Sequence, residues 1–189
     1  MSDSFLDDRR RGLEEAFFTQ HNRELLERMR QKASHEEALA GLTAASGITN
    51  LAVLEELVAR GVRPETLAAL SLLPLVLVAW ADGSISEAEK NAVLAAAGDR
   101  GVAPGSAAHE LLQGWLQVHP HREVVEAWKD YVAALVDGPL DEAAAAALEK
   151  DVLGRAREVA AASGGFLGLG SKISDQEEAV LANLADAFA

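Results

Sequence analysis

One apolar run, Leu67 to Ala81, limits what this chain can fold into. It is 15 residues long, contains Pro74, and stops at Asp82-Gly83. A membrane-spanning helix needs about 20 apolar residues, so the run predicts a buried central helix that Pro74 kinks or restarts. The rest of the chain must then supply amphipathic elements to cover it.

The surrounding pattern is helical. Alanine and leucine are abundant, aromatics are 5% of the 189 residues, and proline occurs five times. Unbranched side chains lose little rotamer freedom in a helix, which favours helix over sheet. Helix starts and stops are marked along the chain. Ser34 with Glu37, Ser86 with Glu89 and Ser174 with Glu177 each form a capping box, and Ser4 with Asp7 is a variant of it. Asn50 and Ser106 are further N-caps, and Gly47, Gly61 and Asp137-Gly138-Pro139 are stops. No stretch alternates with period two. The expected fold is all-α: a bundle of seven to nine helices with Leu67, Leu70, Leu73, Val76, Leu77 and Trp80 near its centre. Leu94, Leu111, Trp115, Trp128, Val132, Leu148 and Leu181 are expected to pack around them.

The first 32 residues read as one long amphipathic helix. Leu13, Phe17, His21, Leu25 and Met29 recur every four residues, with Phe18 and Leu26 widening the stripe. Two short helices follow, giving an N-terminal arm of residues 1–61 and a helical domain of residues 62–189. The apolar stripe needs a cover. Phe17, Phe18, Leu25, Leu26 and Met29 are therefore candidates for docking into a groove on a protein partner.

Charge narrows the choice of partner. Residues 1–32 hold seven basic and seven acidic side chains, so the net charge of −13 lies wholly in residues 33–189. An acidic body repels phosphate backbones and anionic lipid heads. The expectation is a protein partner or a cation, with no nucleic acid and no membrane insertion. There is no cysteine, which removes disulfides, thiolate metal sites and a cysteine nucleophile. With charges where a secretion signal would be apolar, the expected setting is the cytoplasm. No serine–histidine–acid arrangement declares itself, so no enzymatic activity is expected. Oligomeric state is left open by the sequence.

Two segments echo each other. Ile85-Ser86-Glu87-Ala88-Glu89 leads into Val93-Leu94, and Ile173-Ser174-Asp175-Gln176-Glu177 leads into Val180-Leu181. Asp137-Gly138-Pro139-Leu140-Asp141-Glu142 is a weaker third copy. Each is a turn, an apolar plug and a capped acidic first turn. At these residues the chain resembles the TerB-like tellurite-resistance family. The stretch from Leu75 through Trp80-Ala81-Asp82-Gly83-Ser84-Ile85-Ser86-Glu87-Ala88-Glu89 carries the resemblance, and Lys172-Ile173-Ser174-Asp175-Gln176-Glu177-Glu178 looks like its second half. It covers about residues 62–189. The resemblance implies a compact helical fold, a non-enzymatic role in stress or metal-ion response, and an ion site on Asp82, Glu87 and Glu89. The glycine-rich Ser163 to Ser171 departs from the family pattern, which puts a symmetric two-turn ion site in doubt. Near the N-terminus, Phe5-Leu6-Asp7-Asp8-Arg9-Arg10 and Glu14-Glu15-Ala16-Phe17 resemble the start of the ATPase inhibitor subunit zeta.

The residues themselves offer two readings of the Asp82 turn. Gly83, Ile85 and Glu89 fit positions 6, 8 and 12 of a calcium loop. Positions 1 and 3 would be Val78 and Trp80, which have no side-chain oxygen. A divalent cation such as calcium would therefore have to rely on Asp82, Glu87 and Glu89. In the alternative, Asp82 shapes a turn and Glu89 caps the Ser86 backbone. Gly164 to Lys172 has phosphate-loop glycines but reverses the Lys-Ser order and follows no strand, so it reads as a connector. His119 and His121 flank Pro120 as an inter-helix turn. A small-molecule carrier would require a cavity larger than a few hundred Å³ among the Leu and Val helices.

Overall fold

The structure is a computed structural model and describes residues 27–163 and 173–188. Contacts divide the chain into two units, Met1–Ala38 and Leu39–Ala189. In the first unit, residues 27–37 are helical and exposed, and Lys32 pairs with Glu36 at 3.8 Å. The Ser4–Asp7 cap, His21, the docking residues Phe17, Phe18, Leu25 and Leu26, and the glycine-rich connector lie outside the described residues.

Helix α1 is Glu27–Ser46. It runs unbroken through Ser34 and Glu37, so the helix start expected at Ser34 is not there. The physical reason is propagation. Residues 27–40 hold no glycine or proline, and extending a helix by one residue costs far less than nucleating a new one. A capping box starts a helix only where the preceding chain has already left helical geometry.

Beyond α1 the sequence signals hold closely. Gly47 takes φ 75° and its N–H donates to the Thr43 carbonyl at 2.8 Å. Ile48 then plugs the core at 1% exposure. Asn50 caps α2, Leu51–Ala59, by accepting from the Ala52 N–H at 3.1 Å. A 3₁₀ turn, Pro64–Thr66, opens the apolar run. The run divides into α3, Leu67–Ser71, and α4, Leu73–Ala79, with Pro74 tolerated in the first turn of α4. The remaining helices are α5 (Glu87–Asp99), α6 (Ala107–Gln117), α7 (Arg122–Val136), α8 (Glu142–Ser163) and α9 (Asp175–Ala185), followed by a 3₁₀ turn at Asp186–Phe188. Asp141 caps α8 by accepting from the Ala144 N–H at 2.8 Å. The described residues thus form nine α-helices and no strand, an all-α bundle. Among them, no single helix is long and apolar enough to cross a membrane.

Helix α4 is the axis of the second unit. Leu73, Leu75, Val76, Val78 and Ala79 are all exposed by 1% or less, and α4 contacts α5, α6, α8 and α9. Val152, Ala156, Val159 and Ala160 of α8 and Leu181 and Leu184 of α9 close around it. Each fully buried leucine or valine contributes about 1.5–3 kcal/mol by leaving water. Leu67, Leu70, Leu73 and Val76 are buried as expected, whereas Leu77 and Trp80 are only half-buried. Trp115, Trp128, Val132 and Leu181 are also buried, but Leu94, Leu111 and Leu148 are half-buried. Their neighbours Val93 and Leu112 take the inward positions. Helix α2 packs on α7, forming a layer beside this core.

Candidate functional site

After α4, Ala81-Asp82-Gly83 reverses the chain, with Gly83 at φ 88°, a conformation that favours glycine. Asp82 Oδ1 accepts from the Ser84 N–H at 2.9 Å and from the Ser84 hydroxyl at 3.2 Å. Glu89 is 6% exposed, and its Oε2 accepts from the Ser86 N–H at 2.8 Å. Ser86 Oγ returns the favour by accepting from the Glu89 N–H at 3.2 Å. Glu87 is exposed on the first turn of α5 and pairs with Lys90 at 3.7 Å. The three carboxylates predicted to hold a cation are therefore committed separately: one to a turn, one to a cap and one to solvent and a lysine. Among the described residues no three His, Asp or Glu side chains converge to hold a metal ion.

The second copy has the same geometry. Glu177 is 7% exposed, and its Oε2 accepts from the Ser174 N–H at 2.6 Å and from the Ser174 hydroxyl at 2.8 Å. The internal echo is thus a repeated helix-start device, with an apolar residue ahead of each serine. Trp80 braces the first copy, donating its indole N–H to the Trp115 carbonyl at 2.8 Å. His119 sets its ring edge-on to Trp80 with centroids 5.8 Å apart, and its Nδ1 is 2.8 Å from the Pro120 carbonyl.

A second concavity lies elsewhere, between α2 and α7. It is an open groove of about 660 Å³, lined by Ile48, Asn50, Val53, Ala133, Ala134 and other residues of both helices. Sequence reasoning missed it, although α7 carries the signal. Glu123, Glu126, Asp130 and Asp137 recur at helical spacing on one face, with Ala133 and Ala134 between them. On α2, Ala52, Glu56 and Arg60 form the facing row.

Arg60 is the hinge pin of the groove. Its Nε is 2.9 Å from Glu56 Oε1, its Nη2 is 3.2 Å from Asp130 Oδ2, and its Nη1 donates to the Glu123 carbonyl at 3.5 Å. Two helices are thereby tied through one guanidinium, a role that lysine's point charge fills poorly. At the opposite end Asp137 follows the last turn of α7, which carries no basic side chain to offset its carbonyls. A small apolar slot of about 130 Å³ among Leu70, Leu111, Trp115, Val124 and Ala127 also borders Arg60. It is below the few hundred Å³ that a carrier of small molecules requires.

On α7, burial raises the Tyr131 phenol above its usual range, and the nearby Arg100 guanidinium partly opposes this. Arg100 and Arg155 both pair with Asp151, joining the end of α5 to α8. Of the predicted docking residues, only Met29 is described, and it is 61% exposed. No protein-family model matches the chain, and no curated protein or solved structure matches it significantly.

Proposed function

We propose that this chain is a non-enzymatic, TerB-like binding module that engages a protein partner through the groove between α2 and α7. The observation that carries the reading is the groove itself. It is outward-facing and floored by small and apolar side chains, and a single guanidinium pair-network fixes its shape. Small residues let a partner backbone approach closely, and a pre-set groove lowers the ordering cost of association.

The TerB-like part draws support from the paired Ile-Ser-x-x-Glu helix starts, both with buried glutamates, placed around the α4, α8 and α9 core. Stress or metal-ion response is the setting that the resemblance implies. The Asp82 turn serves in this reading as architecture, because its carboxylates already answer the protein's own N–H and O–H groups.

A photo-crosslinking residue placed at Ala133 tests the proposal in cells that make the full chain. A discrete protein adduct at Ala133, missing when the same residue is placed at Glu149 on α8, is the expected result. Equal labelling at both positions, or none at Ala133, would count against a groove-bound partner.

A further inference from the structure

We infer that the occupant of this groove is a basic amphipathic helix, a claim that rests on the partner-binding reading above. Three features of the groove select that chemistry. The first is shape: α2 and α7 run antiparallel, since Arg60 at the end of α2 meets Asp130 and Glu123 while Asn50 at its start shares the groove with Asp137. The trough between two such helices accepts a third laid along it, as helices pack into one another's surface rows.

The second feature is the floor. Ala52, Val53, Ala133 and Ala134 present small or short apolar side chains, so a visiting helix can bring Leu, Ala or Met side chains into contact without rearranging the trough.

Charge is the third. The lining holds Glu56, Asp130 and Asp137 against the single cation Arg60. Glu123 and Glu126 extend the acidic row along α7, with Arg122 pairing to Glu126 at 3.7 Å. Glu56 and Asp130 already share Arg60, whereas Asp137 is exposed and stands at the C-terminus of a 15-residue helix whose last turn holds no basic side chain. A lysine or arginine placed there meets a full negative charge together with the negative end of the helix dipole. An acidic helix would instead bring like charge against Glu56, Asp130 and Asp137, so the groove selects against it as well as for its opposite.

Binding of a synthetic fluorescent peptide to the full chain tests the inference. The peptide is an amphipathic helix of about 18 residues, long enough to hold helix in water, with Ala and Leu on one face and Lys on its flanks. Its control carries Glu in place of Lys. The Lys peptide is expected to bind with Kd near 10 µM, about 10-fold or more tighter than the Glu peptide. Raising salt to 0.5 M is expected to weaken it several-fold.

Ala133→Arg, at an exposed position that leaves the helical far-UV signal intact, is expected to reduce affinity about 10-fold. Asp137→Lys is expected to reduce it about 5-fold. Equal binding of both peptides, absence of binding by either, or indifference to Ala133→Arg would overturn the inference. If an Ala133 adduct still forms in cells in that event, the partner-binding reading stands and only its basic-helix form falls. Loss of the adduct as well would bring down both.

Discussion

The Asp82 turn and the α2–α7 groove are both acidic, yet they use their carboxylates in opposite ways. At the turn, Asp82 and Glu89 accept hydrogen bonds from their own neighbours, and Glu89 is buried in doing so. In the groove, Glu56 pairs with Arg60 on its own helix while Asp130 reaches across to the same guanidinium, both from half-exposed positions, and Asp137 is exposed. A carboxylate already bound to backbone donors has little left to offer a ligand. Availability therefore depends on which donors a carboxylate faces, and a count of acidic residues does not report it.

The sharpest way to break this contrast is to remove the buried acceptors. Glu89→Ala leaves the Ser86 N–H without its partner and is expected to lower unfolding stability by about 1–3 kcal/mol in urea titration. Glu177→Ala should cost a similar amount, and each Gln variant should recover part of it. Glu87→Ala, at an exposed position, should stay within about 0.5 kcal/mol of the parent. Equal losses at 87 and 89 would erase the distinction between the two kinds of carboxylate.

A smaller effect is expected from Arg60→Ala, which removes the link between α2 and α7. Its ion pairs are partly solvent-exposed, so a loss of about 1 kcal/mol is expected, diminishing at high salt. Asp82→Ala should cost about 0.5–1 kcal/mol by releasing the Ser84 turn, and millimolar calcium should shift the melting temperature of parent and Asp82→Asn alike. A calcium-dependent rise confined to the parent would restore a cation role to the turn.

Tyr131 gives the most delicate comparison, because it is half-buried on the same helix that lines the groove. It is the single tyrosine in the chain, so alkaline absorbance titration reads it directly. Burial raises its folded-state pKa above the unfolded value of about 10. Folding stability tied to the neutral phenol is thus intact below pH 10 and declines as pH climbs through the folded value. Tyr131→Phe should flatten that alkaline decline.

Much of the fold was legible because local signals and burial agree. Asn50, Ser86 and Ser106 all cap helices where a glycine turn had already ended the preceding one, and Ser174 caps α9 with the same geometry. Ser34 carries the same signature and starts nothing, since nothing before it interrupts α1. Which leucine of an adjacent pair turns inward was not legible either. Leu111 and Leu112 differ by one helical step of about 100°, and only the position of α3 and its neighbours decides between them. The groove escaped notice for a related reason. Glu56, Arg60 and Asp130 look like ordinary surface charges until two helices distant in sequence are brought side by side.

Gly41 on α1 stands against Pro64 so closely that an added Cβ would lie 2.5 Å from the proline Cγ. The clearance there is a single hydrogen atom. Substitutions can drift freely across the solvent-facing turns of that helix, but the smallest side chain at this one position would lever the proline corner outward, and the start of the central apolar run with it. Tolerance to mutation in α1 accordingly falls at its packed end, and an Ala scan should find adjacent losses at Gly41 and at the fully buried Leu42.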